Sequence, residues 1–468
     1  MFGKHLIGRR DCLRAGVAGT LAIDLPRCFQ LPHATANSMV ETTTRPRAKA
    51  CIFLFMWGGP AHQDTWDMKP KAPSEYRGEF QPIDTKVPGL QICEHLPMLA
   101  QRADKLAVIR SMTHDDVDHT SATHYPLTGR AAPKRGGGPL AEDWPSVGSV
   151  MARLGRGRGP LPPYISMMPV VPNGAPRFVE SSHGQGAGWL GPTVDPMRID
   201  GDGSKPDYSV GDFSLPSDLS ETRTNHRRML LESMDRQQRH LEDDVRTAAR
   251  RSHYDRAYSL LTSSGATEAF DLNREPISVR ERYGMNVHGQ SVLQARRLVE
   301  AGVPVVTVFW PNDGLTNVSV YWDTHNRNFV DLKTRLCPVT DRAFSALLDD
   351  LSERGMLDET LIVWTGEMGR TPRVGQSVVG GAGAGRDGRD HWSNCFTSVL
   401  AGGGIQGGVI HGSSDRFAAY PASSPTTPAD LVATVYHSLG VSPDLQLRDN
   451  LGRPLTICEG TPIHPILT

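Results

Sequence analysis

Histidine and acidic side chains are concentrated in four loops of the sequence, and these are residue types that bind divalent metal ions. The loops read WGGPAHQDTWD, WPNDGLTNVSVYWDTHNRN, GEMGRTP and GRDGRDHW. They supply seven candidate ligands: His62, Asp64, Asp323, His325, Glu367, Asp390 and His391. Any one of them alone would more often be a solvated or capping residue. Together the four sets predict a metal site, and zinc, manganese, calcium and iron all stay open.

A fifth segment, RSMTHDDVDHTSATHYPLTGR at residues 110–130, contains further reactive side chains. Thr120 and Ser121 are candidate nucleophiles, with His119 beside them as a base or a metal ligand. The alternative is the start of a polar helix with Asp118 as its N-cap. Both interpretations can hold, because a helix start also favours an anion such as phosphate or sulfate.

The elements that must position these residues alternate between strand and helix. The predicted strands are 50–56, 106–109, 303–310, 360–365 and 398–401, and the predicted helices are 95–104, 291–301, 340–355 and 428–439. This alternation predicts an α/β fold with a mainly parallel sheet flanked by helices. Ligand sites in such sheets form beyond the carboxyl ends of the strands, where the metal-type residues occur.

We expect residues 49–468 to form a single α/β domain with two additions. Residues 130–216 are rich in Gly, Pro, Ser and Asp and predict a loop-rich excursion. Residues 217–263 carry charges on a helical period and predict a helical insertion that Asp218 or Ser220 could cap.

The first 32 residues predict a twin-arginine export signal. Arg9 and Arg10 precede a weakly apolar run that is rich in Gly and Ala. The alternative is the basic start of an ordinary amphipathic helix. With residues 33–48 as a linker, the signal predicts export by the twin-arginine machinery to the periplasm or beyond.

Composition excludes several other classes of protein. The net charge of -1 argues against nucleic acid as a partner. The sequence has no uninterrupted run of about 18 apolar residues, so no transmembrane segment is predicted. The seven cysteines contain no C-x-x-C pair, so neither a zinc finger nor a thioredoxin-like site is expected.

Several motifs give the chain a family resemblance. They are RRDCLRAG, GGPAHQDTWDMKP, DHTSATHYPLTG, YWDTHNRNF, GEMGRTP, GRDHW and AGGGIQGGVIHGSSD. The chain resembles the DUF1501 family of secreted bacterial proteins, abundant in planctomycetes. That family is similar to the alkaline phosphatase and sulfatase superfamily, so the resemblance implies an alkaline phosphatase-like core.

The resemblance also implies a site with two metal ions. One ion would be bound by His62, Asp64 and Glu367, and the other by Asp323, His325 and His391. The DHTSATHYPLTG segment is similar to the superfamily helix that begins with the nucleophile, and aligning its Thr-Gly end puts His119 at the nucleophile position. Thr120 or Ser121 would then be the nucleophile, or His119 would form the covalent intermediate, or His119 would bind metal while water attacks.

The reaction implied by the resemblance is hydrolysis of a phosphate or sulfate ester on a small molecule or a polysaccharide. Two ions about 4 Å apart would hold the attacking and leaving oxygens. Arg370 or Arg389 would bind the ester oxygens, unless these arginines are structural. The alternatives are a hydrolase with one metal ion and an exported binding or scaffold protein that keeps the fold without turnover.

Overall fold

The structure is a computed structural model that describes residues 46–157, 159–168, 181–210, 226, 229–230, 263–312, 317–378 and 381–468. All of these residues belong to one compact unit. The predicted export signal at 1–32 lies outside the described residues, and so do most of the linker and most of the helical insertion at 217–263.

An eight-stranded sheet forms the centre of this unit. Its strands are β1 Ala50–Phe55, β2 Leu106–Met112, β3 Tyr164–Met167, β4 Met197–Ile199, β5 Val305–Phe309, β6 Thr360–Thr365, β7 Phe396–Ala401 and β8 Val409–His411. They are arranged in the order β8-β2-β7-β6-β1-β5-β3-β4. Only β7 pairs antiparallel with its neighbours, β2 and β6. The prediction of a mainly parallel sheet is therefore confirmed.

Strand β1 lies in the middle of the sheet, between β5 and β6, and is buried along its whole length. Its side chains alternate between two apolar cores, with Ile52 and Leu54 on one face and Cys51 and Phe53 on the other. Burial on both faces explains the unbroken apolar run in the sequence, which is typical of an internal parallel strand.

The segment 130–216 differs from the loop-rich excursion that its composition predicts. It contributes two strands, β3 and β4, to one edge of the main sheet, and a helix that begins at the N-cap Ser146. Both strands are four residues or shorter and are flanked by Gly and Pro. Such short runs give too little periodicity to be recognised in the sequence.

Helices cover both faces of the sheet. They are α1 Ser74–Arg77, α2 Pro97–Ala100, α3 His119–Ala122, α4 His124–Thr128, α5 Val147–Arg153, α6 Ser264–Phe270, α7 Ile277–Tyr283, α8 Val287–Glu300, α9 Asn328–Asp331, α10 Cys337–Glu353 and α11 Pro428–Ser438. Helices α8 and α10 pack in the core that contains Ile52, and α11 packs in the core that contains Phe53. The predicted helix at 95–104 is instead α2 followed by a 3-10 turn at Ala103–Lys105.

Four two-stranded sheets join the loops around this core. They pair Pro82–Asp84 with Gln91–Cys93, Gly369–Arg370 with His391–Trp392, Ser413–Ser414 with Pro421–Ser423, and Gln446–Arg448 with Pro454–Thr456. Among the described residues, no helix combines the length and apolar character needed to span a bilayer.

Candidate metal centre

One edge of the main sheet collects the metal-type residues. The parallel strands β2, β5 and β6 end there, and each is followed by a loop that carries one or more of these side chains: His119, Asp323, His325 and Glu367. Because β7 runs antiparallel, it begins at the same edge, and His391 lies just before it. The pairing of His391 with Arg370 in a short two-stranded sheet brings both residues to this edge.

Four of these side chains form a single cluster. One ligand atom each from His119, Asp323, His325 and His391 lies within 4.8 Å of the others. Asp323 Oδ1 is at the centre of the set, 2.8 Å from His325 Nε2, 3.4 Å from His119 Nε2 and 3.5 Å from His391 Nε2. His119 and His391 are buried, and the other two are partly exposed. This arrangement could hold a metal ion.

The outer nitrogen of each imidazole is held by a second group. The Nδ1 atoms of His119, His325 and His391 lie 2.6 Å from Glu367 Oε1, 2.6 Å from Gly383 O and 2.8 Å from Val117 O, respectively. Because all three partners are acceptors, each Nδ1 must donate a proton. In the neutral form of each ring the Nε2 atom then carries a lone pair, which is the usual second-shell pattern of metal-binding histidines.

Two ring nitrogens of the cluster face each other in a way that would suit a cation. His325 Nε2 and His391 Nε2 are 3.0 Å apart, although both rings donate from Nδ1. Two lone pairs at that distance repel each other unless a positive charge lies between them. Burial lowers the pKa of His391, which favours the neutral form that can act as a ligand.

The carboxylates give the cluster negative charge. Burial alone would raise the pKa of Asp323, but the charges of Arg370 and His119 outweigh it and hold this pKa well below its usual range. Burial likewise opposes protonation of His119, yet the charges and hydrogen bonds of Asp323 and Glu367 raise its pKa to about 9.

Glu367 is buried beside the cluster. Its Oε1 accepts from Gly58 N at 2.8 Å as well as contacting His119, whereas its Oε2 has no hydrogen-bond partner among the described residues. A buried carboxylate oxygen without a donor is costly, and a bound cation would offset this cost. Gly58 has a φ of 100°, and a Cβ there would lie 2.2 Å from Asp323 N, so glycine is required at this contact.

Arg370 is buried and directed at the cluster. Its guanidinium donates to Gly58 O and Asp323 Oδ1, and Nε donates to Gly59 O at 3.0 Å. Backbone carbonyls thus hold the side chain in place beside the candidate ligands. Its Nη1 lies 3.4 Å from Arg389 O and 3.5 Å from His325 Nε2, so this guanidinium is also surrounded by acceptors of the protein.

Arg389, the other predicted substrate-binding residue, is engaged elsewhere. Both it and Asp64 are fully buried, and Arg389 Nε and Nη2 donate to the two oxygens of Asp64 at 2.7 and 2.9 Å. The remaining donors are directed at three carbonyl oxygens, those of Tyr76, Thr371 and Pro372. All five N–H donors of the guanidinium are therefore used inside the protein.

The ligands that the resemblance assigns to one of its two ions are not brought together as a set. Asp64 accepts from Arg389 and from Asn328 Nδ2 at 2.8 Å. His62 is buried, and its Nε2 lies 2.9 Å from Ala418 O. Burial lowers the pKa of His62 to about 4. Only Glu367 of that set adjoins the four-residue cluster.

The candidate nucleophiles Thr120 and Ser121 are in the first turn of α3, whose N-cap is Asp118. The hydroxyl of Thr120 donates to Asp118 Oδ1 at 2.5 Å, and Ser121 N donates to the same oxygen at 3.2 Å. The alternative prediction of Asp118 as an N-cap is thus confirmed. In this segment His119 belongs to the four-residue cluster.

Asp390 supports the loops around the centre. It is fully buried, and its oxygens accept from Val378 N at 2.8 Å and His391 N at 2.9 Å. Sequence reasoning missed the glycine-rich stretch 381–388, which contacts His325 through Gly383 O and through a Gly385 N–H. The four glycines between 381 and 388 were the available signal, because Cβ atoms at Gly385 and Gly388 would clash with Asn326 and His325.

The sequence matches a known protein family over most of its length. The model of one family, described as a protein of unknown function (DUF1501), matches residues 48–467. The chain belongs to the DUF1501 family. This match confirms the resemblance predicted from the motifs, and it includes every residue of the candidate metal centre. No curated protein matches the DUF1501 chain significantly.

Solved structures similar to the DUF1501 chain include three hydrolases. A phosphonate monoester hydrolase from Silicibacter pomeroyi is 12% identical, with a TM-score of 0.40 over 91% of this chain and 77% of that one. The PsFucS1 sulfatase from Pseudoalteromonas sp. is 13% identical, with a TM-score of 0.37 over 86% and 68%. An alkaline phosphatase from the Antarctic bacterium TAB5 is 11% identical, with a TM-score of 0.35 over 79% and 95%. Similarity this distant carries no conclusion about activity.

Proposed function

We propose that this DUF1501 protein is an exported, metal-dependent hydrolase of phosphate or sulfate esters. The observation that carries the proposal is the convergence of three histidine Nε2 atoms on one oxygen of Asp323. Each of these histidines donates from Nδ1 to a separate acceptor. Such preorganisation of lone pairs has no structural purpose in the absence of a cation.

The residues of the cluster fit a divalent transition metal. Three imidazole nitrogens and one carboxylate oxygen suit zinc or manganese, whereas calcium prefers a set made of oxygens. The resemblance implies a second ion near Asp64 and Glu367. The bidentate pairing of Asp64 with Arg389 favours a single ion at the four-residue cluster instead.

The surrounding residues suit ester hydrolysis. A bound divalent ion would act as a Lewis acid on the ester oxygens and generate a nucleophile from water. Arg370 lies beside Asp323 inside the site, and we expect its positive charge to attract the negative oxygens of an ester. Glu367 holds the Nδ1 proton of His119 and keeps this imidazole in its ligand tautomer.

A second candidate function is binding without turnover by an exported scaffold protein. It is favoured by the position of the Thr120 hydroxyl, which donates to Asp118 instead of joining the cluster. A water nucleophile would remove this objection, because neither hydroxyl would then be needed. Turnover of a simple ester separates the two candidates.

Metal content and activity test the proposal together. Metal per chain is measured by elemental analysis of the purified protein and of His391→Ala, with the partly exposed His411→Ala as a matched control. We expect one equivalent in the wild type and in the control, and a loss in His391→Ala. Two equivalents would support the binuclear site that the resemblance implies. The proposal would be contradicted if the protein held no metal after reloading. It would also be contradicted if the loaded protein hydrolysed neither p-nitrophenyl phosphate nor p-nitrophenyl sulfate.

A further inference from the structure

An open groove of about 590 Å³ lies between residues 68–73 and the loop that contains Arg416 and Phe417. Its apolar lining comes from Met68, Ala72, two prolines and the Phe417 ring. The charged side chains that line it are all cationic: Lys69, Lys71 and Arg416. A groove of this size with an apolar floor and a few charged groups is typical of a ligand site.

Two of the three cations are available to a ligand. Lys69 is paired with Asp67 at 2.9 Å. Lys71 and Arg416 are exposed, and neither forms an ion pair with any residue in the described ranges. The groove therefore has an excess of positive charge and is complementary to an anion.

Aromatic rings lie next to these charges. Phe417 is stacked on Tyr76, with ring centroids 4.3 Å apart and an interplanar angle of 26°. The Arg416 guanidinium carbon lies 4.4 Å from the centroid of the Phe417 ring. The ring thus holds Arg416 over the groove by a cation–π contact, which limits the rotamers of an otherwise exposed side chain.

The loop that carries Arg416 also contacts the residue that follows His391. Trp392, which follows His391 in sequence, donates from Nε1 to Ala419 O at 2.6 Å and packs edge-on against Tyr420. Tyr420 is exposed and is three residues from Phe417, so the same loop presents aromatic rings both at the groove and beside Trp392. Asp415 holds the loop by accepting from the N–H groups of Phe417 and Ala419, at 3.0 and 2.8 Å.

We propose that this groove binds sugar units that carry sulfate or phosphate groups, next to the ester that reaches the metal centre. The two cations would bind the anionic groups, and the apolar floor with its ring would bind the face of a sugar. This assignment rests on the proposed hydrolase and extends it to a class of substrate, an anionic polysaccharide.

Titration of the full-length mature protein tests the groove without requiring turnover. The probes are dextran sulfate, dextran phosphate, uncharged dextran and polyphosphate, which contains no sugar. We expect the wild type to bind at least one of the two charged dextrans more tightly than either dextran or polyphosphate. The tighter of the two charged dextrans identifies the anionic group.

A double variant, Lys71→Ala with Arg416→Ala, should weaken this binding about tenfold, which corresponds to about 1.4 kcal/mol for the loss of two exposed ion pairs together. Its matched control is Lys205→Ala with Arg448→Ala, which removes the same charge from two exposed sites elsewhere. The control should change the affinity less than twofold. Equal losses of affinity in both double variants would show that only net charge matters, and would contradict a binding site in the groove.

The aromatic part of the site has its own test. Phe417→Leu keeps apolar volume but removes the ring, so it should weaken charged dextran binding and leave polyphosphate binding unchanged. If polyphosphate binds as tightly as the charged dextrans in every variant, the site recognises charge alone and the assignment to a saccharide is wrong.

Activity on a small ester separates this assignment from the hydrolase itself. The Lys71→Ala/Arg416→Ala variant should hydrolyse p-nitrophenyl esters at the wild-type rate, since neither residue contacts the cluster. If the protein binds charged dextrans through the groove but hydrolyses no ester, the saccharide site stands and the proposed hydrolase is wrong. If the protein hydrolyses the ester but does not bind charged dextrans, the hydrolase stands and the saccharide site is wrong.

Discussion

Asp64 and Arg389 form a fully buried, bidentate ion pair between residues 325 positions apart in the sequence. Arg389 also holds the backbone of the loop after β6 through Thr371 O and Pro372 O. His391 lies two residues beyond Arg389, and its partner strand contains Arg370. The pair therefore fixes the position of one candidate metal ligand and of the candidate anion-binding arginine.

Asp64→Asn should destabilise the protein without removing a ligand. The variant leaves the Arg389 charge buried with one neutral partner, which costs about 3–5 kcal/mol in the free energy of unfolding. Urea unfolding measures this loss, and Asp358→Asn at an exposed site serves as the control. A variant with wild-type stability but without bound metal would show instead that Asp64 is a ligand.

The same pair shows where sequence reasoning stops. Residue types and strand ends predicted that His325 and His391 would share one edge of the sheet, because the strand pattern of the chain was readable. Asp64 follows β1 just as closely and has equally suitable chemistry. Only the three-dimensional approach of Arg389 separates a structural carboxylate from a ligand, and a spacing of 325 residues carries no trace of that contact.

Strand direction explains a second feature of the site that the sequence does not predict. His391 precedes its strand, whereas His119 and Asp323 follow theirs, and only the antiparallel direction of β7 brings all three together. An α/β rhythm predicts parallel strands by default, so this reversal could not be predicted from the sequence. The sequence also leaves the role of His119 open, because that role depends on which side chains face it in the folded chain.

Glu367→Gln should weaken metal binding while preserving the fold. Glutamine can still accept from His119 Nδ1 and Gly58 N through its amide oxygen, but it lacks the charge that supports the imidazole as a ligand. Loss of such an outer carboxylate typically reduces metal affinity 10- to 100-fold. Competition with a chromogenic chelator measures the dissociation constant, with the exposed Glu359→Gln as the control. An unchanged constant would mean that Glu367 takes no part in the centre.

Replacing Arg9 and Arg10 together by lysine should abolish export. The twin-arginine machinery reads the arginine pair itself, so an equal charge on lysine does not substitute for it. Fractionation of cells that express the full chain measures the outcome, and Arg14→Lys is a control outside the pair. Equal amounts of the double variant and the wild type outside the cytoplasm would reject the predicted signal.

Acid should destabilise the protein through histidines that are buried in the neutral form, and His288 gives the sharpest test. It lies against Trp310, with ring centroids 4.3 Å apart, and burial lowers its pKa to about 3. Between pH 6.5 and 3 the unfolded chain binds this proton and the folded chain does not, so stability falls as the pH falls. From pH 7.5 to 5 the contribution of His288 is about 2 kcal/mol.

Urea unfolding at the two pH values measures this difference for the wild type, for His288→Phe and for the more exposed His411→Phe. We expect the His288 variant to lose about 2 kcal/mol less between pH 7.5 and 5 than the wild type does, whatever its stability at neutral pH. The His411 variant should follow the wild type closely, because its imidazole is only partly buried and its pKa is lowered by burial to a smaller extent. Parallel curves for all three proteins would show that the folded chain protonates His288, which its burial disfavours.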